Sequence, residues 1–366
     1  MSANIPEIPY TELQERVSKM SRDTERGARV RGAIQDANTR EIPSKFDWDF
    51  LLATSAITTT KEFKDGNVTI NTGDTTAVFS VTTITSSFTG RKLKVNGNDT
   101  VYDVTFQNDS ALTISPSFEG SSNASNQGYV IFQPKYALDK NFDRFPKDGG
   151  VYKWSGGRKE MLDPLTYHRG IVEHSPTPSV PEFTRLLGEN TAGQPMVEFI
   201  PPPKDTRNYG YDYLRQVPTL KENSFGTVTI SAKGTTVTGA TTCRFTDSTT
   251  GDFLRVNRFG TDEDSKWYRI ISIANDSSLT ISTAFENSAV ANADYVISSA
   301  PEMPVRLHPA VLYGALRTMV LDQTDESFIA YSAKMAEVLT DAKRIHVTRK
   351  YSEKLPHIGE DFLYRR

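Results

Sequence analysis

Residues 108–119 read NDSALTISPSFE, and residues 275–286 read NDSSLTISTAFE. The likeness extends outward from these stretches in the same internal order. One copy opens at GNVTINTGDTT from Gly66 and closes with YVIFQP at Tyr129; the other opens at GTVTISAKGTT from Gly226 and closes with YVISSAP at Tyr295. Val68 and Ile70 match Val228 and Ile230; Gly90, Leu93 and Val95 match Gly251, Leu254 and Val256; Tyr102 and Val104 match Tyr268 and Ile270. Alternating apolar and polar residues put every second side chain on one face of a strand, and clusters of Asn, Asp, Gly and Ser end each strand in a turn. Each copy spans roughly 70 residues, enough for a modest core. The expectation is a small antiparallel β-sandwich or barrel module present twice, because two copies so far apart cannot stack as a solenoid does.

Helical spacing is confined to the two ends of the chain. Thr11 with Gln14 has the spacing of a capping box, after which Leu13, Val17 and Met20 recur on one face. A second set, Ala28, Val30, Ile34 and Ala37, stops before Pro43, whose ring disfavours helix in the residue preceding it. Trp48, Phe50, Leu51 and Leu52 form an apolar cluster, and the expectation is two or three short helices before residue 55. At the far end Pro309 suits a first helical turn, with Leu312, Leu316, Met319 and Val320 on one face. Asp325 is placed to cap a further helix carrying Phe328, Tyr331, Met335, Val338, Ala342 and Ile345. The short link predicts an antiparallel helical hairpin that buries its stripe against the N-terminal helices.

Between the two repeats, residues 134–224 have a different texture. Val197 and Phe199, then Tyr209, Tyr211 and Tyr213, alternate as strands do, and Pro201–Pro203 belong in a turn or at an edge because proline cannot donate to a ladder. This passage predicts a separate β domain.

The chain of 366 residues carries a net charge of -3 with 37% apolar and 24% charged residues, a globular balance with no global basic field for wrapping nucleic acid or binding an anionic membrane. No apolar run reaches the roughly 18 residues of a membrane span, and the start MSANIPEIPYTELQERV lacks the marks of a signal peptide, so assembly in the cytoplasm is expected. Cys243, the single cysteine, rules out an intrachain disulfide and sits in a strand-like run as a small buried apolar residue would.

Chemistry-bearing motifs are missing. His168, His174, His308, His346 and His357 have no metal-pair spacing. GTDEDSKW, with Asp262 and Asp264, fails the calcium-loop pattern at Lys266 and Trp267 and reads as a hairpin tip. WSGGRKE at 154–160 lacks the spacing of a phosphate loop and reads as a two-glycine hairpin turn at Gly156 and Gly157. The interleaved Arg16, Lys19, Arg22, Arg26, Arg29 and Arg31, with Glu12, Glu15, Asp23 and Glu25, read as a solvated helix face before they read as a nucleic-acid surface. No catalytic residue, metal ligand or cofactor is expected, and the chain is not expected to be an enzyme.

The order of these pieces resembles a known family. YTELQERV, a short basic helix and FDWDFLLATSAITTT are similar to the opening of the head-to-tail adaptor proteins of tailed bacteriophages, the group of tail tubular A and connector-type proteins. ALDKNFDRF, LDPLTYHRG, MVEFIPPPKDTRNYGYDYLRQVPTL and LHPAVLYGALRTMVLDQTDESFIAYSAKMAEVL resemble the rest of that core in the same order. The repeats fall between core pieces, so the resemblance makes them two inserted copies on an adaptor core. It implies an α+β fold: N-terminal helices over 1–62, a β module over 63–133, a central β domain over 134–224, a second module over 225–300, a C-terminal helical hairpin over 301–346 and an extended tail over 347–366.

The resemblance also implies a dodecameric homo-oligomeric ring under the portal protein, joining the capsid vertex to the tail or nozzle protein in the virion. DNA would pass through its channel without sequence specificity, with some of the N-terminal arginines lining the bore, and no membrane would be involved. Leu312, Leu316, Met319, Phe328, Tyr331 and Met335 are expected on the ring-interface helices, and Phe362, Leu363, Tyr364, Arg365 and Arg366 in a tail that docks on the portal. An alternative is a virion surface protein whose β modules grip carbohydrate, for which Trp267, Tyr268 and Tyr102 are the aromatic candidates; a cell-wall hydrolase is a third.

Overall fold

The computed structural model describes residues 7–21, 27–164, 177–256, 266–320 and 324–346. The fold is mixed α and β, mostly β-sheet, with four α-helices among the described residues. The chain divides into two compact units, residues 52–215 and residues 1–51 with 216–366.

The unit of 52–215 holds three sheets. Strand Leu52–Thr58 runs antiparallel to Asn208–Arg215, which also pairs with Val151–Ser155, and that strand in turn pairs with Arg158–Met161. A second sheet joins Phe183–Glu189, Pro195–Ile200 and Lys135–Ala137. Ile57, Phe142, Val151, Val197, Phe199 and the alternating Tyr209, Tyr211 and Tyr213 from the two sheets meet in one core. Tyr152 crosses over Gly210, where a Cβ would lie 2.5 Å from the ring, so only glycine fits. The two-glycine turn joins Ser155 to Arg158 with φ of 56° at Gly156 and 80° at Gly157, as a type I′ turn requires. Leu52–Thr58 is a strand, correcting its placement among the N-terminal helices: LATSAIT is rich in β-branched Thr and Ile, it pairs along its length with 208–214, and Leu52 is exposed.

The third sheet of this unit has seven strands in the order 124–127, 68–70, 76–79, 111–115, 101–108, 92–95, 129–132. In the other unit a sheet has, in matching order, 290–293, 228–230, 236–239, 278–281, 268–275, 253–256 and 295–298, with Glu222–Asn223 added at the edge. Details repeat as well. The Asn108 carboxamide accepts from the Ser110 amide at 3.0 Å and the Asn275 carboxamide from the Ser277 amide at 2.9 Å. Tyr129 donates to the Asp65 carbonyl and Tyr295 to the Phe225 carbonyl, each at 2.6 Å. Both tyrosines and their sheets' inward side chains form separate buried cores.

Helices α1 (Tyr10–Ser21), α2 (Ala28–Asp36), α3 (His308–Met319) and α4 (Glu326–His346) lie in the same unit as the second of these sheets. α3 packs against α1, α2 and α4. α2 continues through a π turn, Ala37–Glu41, that ends before Pro43. The capping box does not form: α1 begins at Tyr10, the Gln14 side chain donates to Glu222 at 2.9 Å, and the Thr11 amide donates to the Ser298 hydroxyl at 2.9 Å. Neighbouring β structure supplied partners that the local motif would have used. Arg255 reinforces this junction, pairing with Glu15 of α1 at 2.6 Å while its guanidinium lies 4.7 Å from the Trp267 ring.

Candidate functional site

The surface that stands out is that of α4. Asp325 caps it, accepting from the Ser327 amide at 2.7 Å, and Lys343, Arg344 and His346 occupy its last turn, where cations favour the helix dipole. With 21 residues it is about 31 Å long. Only Met335, Leu339 and Ala342 among its residues are buried.

Its inner face is fixed by α3. Gly314 sits where α3, the π turn and α4 converge, for a Cβ there would lie 3.1 Å from Ala37 and 3.5 Å from the Met335 methyl. Arg317 pairs with Glu41 and lies 5.9 Å from the Phe328 ring, while Lys334 lies 5.4 Å from the Tyr313 ring. Residue 313 beside 334 and 317 beside 328 is an antiparallel register. At the C-terminal end Lys343 covers Phe46 at 4.7 Å, and His346 meets Asp49 at 3.4 Å and the Phe50 ring edge-on.

This packing changes which residues are available to a neighbouring copy. Leu312, Leu316, Met319 and Met335 are buried inside the chain's own interior, so these four expected ring-interface residues are already spent on α1, α2 and the α3–α4 contact. Phe328 and Tyr331 remain half-buried. The apolar groups left open are Ile329, 58% exposed, and Ile345, 53% exposed. Ile329, Ala333, Ala336 and Thr340 follow at spacings that put them on one flank, all of them exposed. The sequence pattern predicts the buried stripe of α4 but does not single out its second flank, for which the signal is the run of small residues beside Ile329.

Phe362, Leu363, Tyr364, Arg365 and Arg366 lie outside the described residues, as do His168, His174, His357, Asp262, Asp264, Arg22 and Arg26. His308 is buried at the start of α3, accepting from the Ile8 amide at 3.0 Å through Nδ1 and facing the Met303 carbonyl at 3.1 Å through Nε2. Burial holds its ring below the usual histidine pKa, more than the Met303 carbonyl and nearby Glu7 raise it. Tyr102 and Tyr268 are core residues, 0% and 2% exposed, so they cannot form the sugar platform for which they were candidates. Among the described residues no cluster of His, Cys, Asp and Glu could hold a metal ion, and no helix is long and apolar enough to cross a membrane.

No family model and no curated protein matches the chain. Among solved structures, the apo form of translation elongation factor SelB from Methanococcus maripaludis is similar at 14% identity, over 68% of this chain and 62% of that one, with a TM-score of 0.15. The overlap is too loose to bear on fold or function.

Proposed function

We propose that this protein is a head-to-tail adaptor of a tailed bacteriophage: a structural ring subunit, dodecameric, that sits under the portal protein, receives the tail or nozzle and lets DNA through its channel. The observation that carries this reading is the convergence of helices from both chain ends around α3, with α4 leaving an apolar flank uncovered. Such a flank is satisfied by a neighbour, and repetition of one heterologous contact closes a ring. The ordered resemblance of the N-terminal, central and C-terminal pieces to adaptor proteins supports it.

On this reading the helices form the collar between subunits, with the interface on the Ile329 flank and not on the buried stripe. The two like sheets are inserted copies of one module, at corresponding joints of the adaptor core. The C-terminal tail engages the portal, where its aromatic and arginine anchors would each contribute about 2 kcal/mol or more once buried. The test is native mass spectrometry of the purified chain mixed with assembled portal. A single saturated complex with one chain per portal subunit is expected, and a chain lacking residues 347–366 should keep its fold but lose that complex. Absence of any complex would overturn the reading.

A further inference from the structure

The two like sheets differ at one end, at equivalent positions that can be matched one to one. Backbone hydrogen bonds fix the equivalence: Ile84 donates to the Asp109 carbonyl as Phe245 does to Asp276, and Arg91 donates to the Phe88 carbonyl as Asp252 does to Thr249. Likewise Phe63 bridges to Ile131 as Asn223 pairs with Ile297. In the first copy this end is plugged. The Phe63 and Phe88 rings meet edge to face at 5.0 Å, and the Arg91 guanidinium lies 4.4 Å from the Phe88 ring.

In the second copy Asn223, Thr249 and Asp252 stand at those three positions, and a cleft of about 510 Å³ opens there, lined by Asn223 and Asp252 together with Lys221, Phe225, Asp247 and Ile297. Asp252 is 9% exposed; its Oδ2 accepts from the Thr249 amide at 2.8 Å and hydroxyl at 3.2 Å, and no hydrogen bond reaches its Oδ1 among the described residues. Asn223 is also buried, its amide donating to the Arg244 carbonyl at 2.6 Å. Three carboxylates, Glu222, Asp247 and Asp252, line the cleft against the single ammonium of Lys221. Phe225, 60% exposed, already has the Arg244 guanidinium 5.6 Å from its ring.

We propose that this cleft receives a lysine or arginine side chain from a partner protein, its cationic head at Asp252 and its aliphatic stem along Phe225 and Ile297. The acidic lining attracts a cation, the aromatic rim holds one by its ring quadrupole, and a charge-assisted hydrogen bond to Oδ1 fills the open acceptor. Burial pushes the Asp252 carboxyl up despite the Thr249 hydrogen bonds and Lys221, so an incoming donor replaces solvation that the fold has removed. The proposal does not depend on ring formation or on the portal.

The test uses the full chain with labelled isoleucine methyl groups, following Ile297 while Nα-acetyl-arginine amide, its neutral isostere Nα-acetyl-citrulline amide, or methyl glucoside is titrated in. Saturable shifts with the arginine probe are expected, with at least about tenfold weaker binding of citrulline, equivalent to about 1.4 kcal/mol. Asp252→Asn, which is isosteric and keeps an acceptor for Thr249, should cost the arginine probe a similar factor. Asn223→Phe with Thr249→Phe and Asp252→Arg, which writes the first copy's plug into the second, should abolish binding. Equal affinity for arginine and citrulline, no saturable shift, or saturation by methyl glucoside instead would overturn the proposal.

Discussion

His308 ties Ile8 to the start of α3 across the length of the chain, and its ring must be neutral for Nδ1 to accept the Ile8 amide. A histidine whose folded pKa is depressed contributes stability that is full above its unfolded pKa of about 6.5 and is lost as pH falls toward the folded value. Urea midpoints measured from pH 7.5 to 5 should therefore fall more steeply for the parent than for His308→Gln. Parallel curves would show that the ring's charge does not couple to folding. The histidine was visible in the sequence as the residue before Pro309, but its partner, 300 positions away, was not. Arg255 and Glu15 teach the same lesson, since nothing in spacing or periodicity pairs a strand arginine with a glutamate 240 residues earlier.

At the scale of elements, local rules read well where one segment supplies both halves of an interaction. Asp325 caps α4 from two residues before Ser327, and Gly156–Gly157 makes its turn without help from elsewhere. Asp325→Ala should cost about 1 kcal/mol. Hydrogen exchange should report this as roughly fivefold faster opening of the first turns of α4, with α1 unchanged. The rules failed where a distant element competed, as at Thr11 and Gln14, and where alternation was too short to outweigh an apolar cluster, as at Leu52. The helical stripe of α4 was legible as a buried face, but the exposed flank at Ile329 beside it was not. Ile329→Glu with Ala336→Glu should leave circular dichroism intact and abolish association between copies of the chain on the portal. Association at the parental level would place the interface elsewhere.

For the whole molecule, the duplication was the part of the architecture most readily read in advance, because two passages that share inward-facing residues such as Val68 and Val228, Leu93 and Leu254, and Tyr129 and Tyr295 specify the same strand order twice. What the repeated sequence concealed was divergence at the rim. Phe63, Phe88 and Arg91 against Asn223, Thr249 and Asp252 is a change of three side chains that turns a plug into a polar cleft, and it is recognisable only once the hydrogen bonds fix the alignment. The ring reading rests on helices from the two ends of the chain acting as one collar. Negative-stain images of the full chain bound to portal test it most directly: end-on averages should show a continuous annulus with an open centre and twelvefold repeats, whereas discrete particles without closure, or no density added beneath the portal, would contradict it.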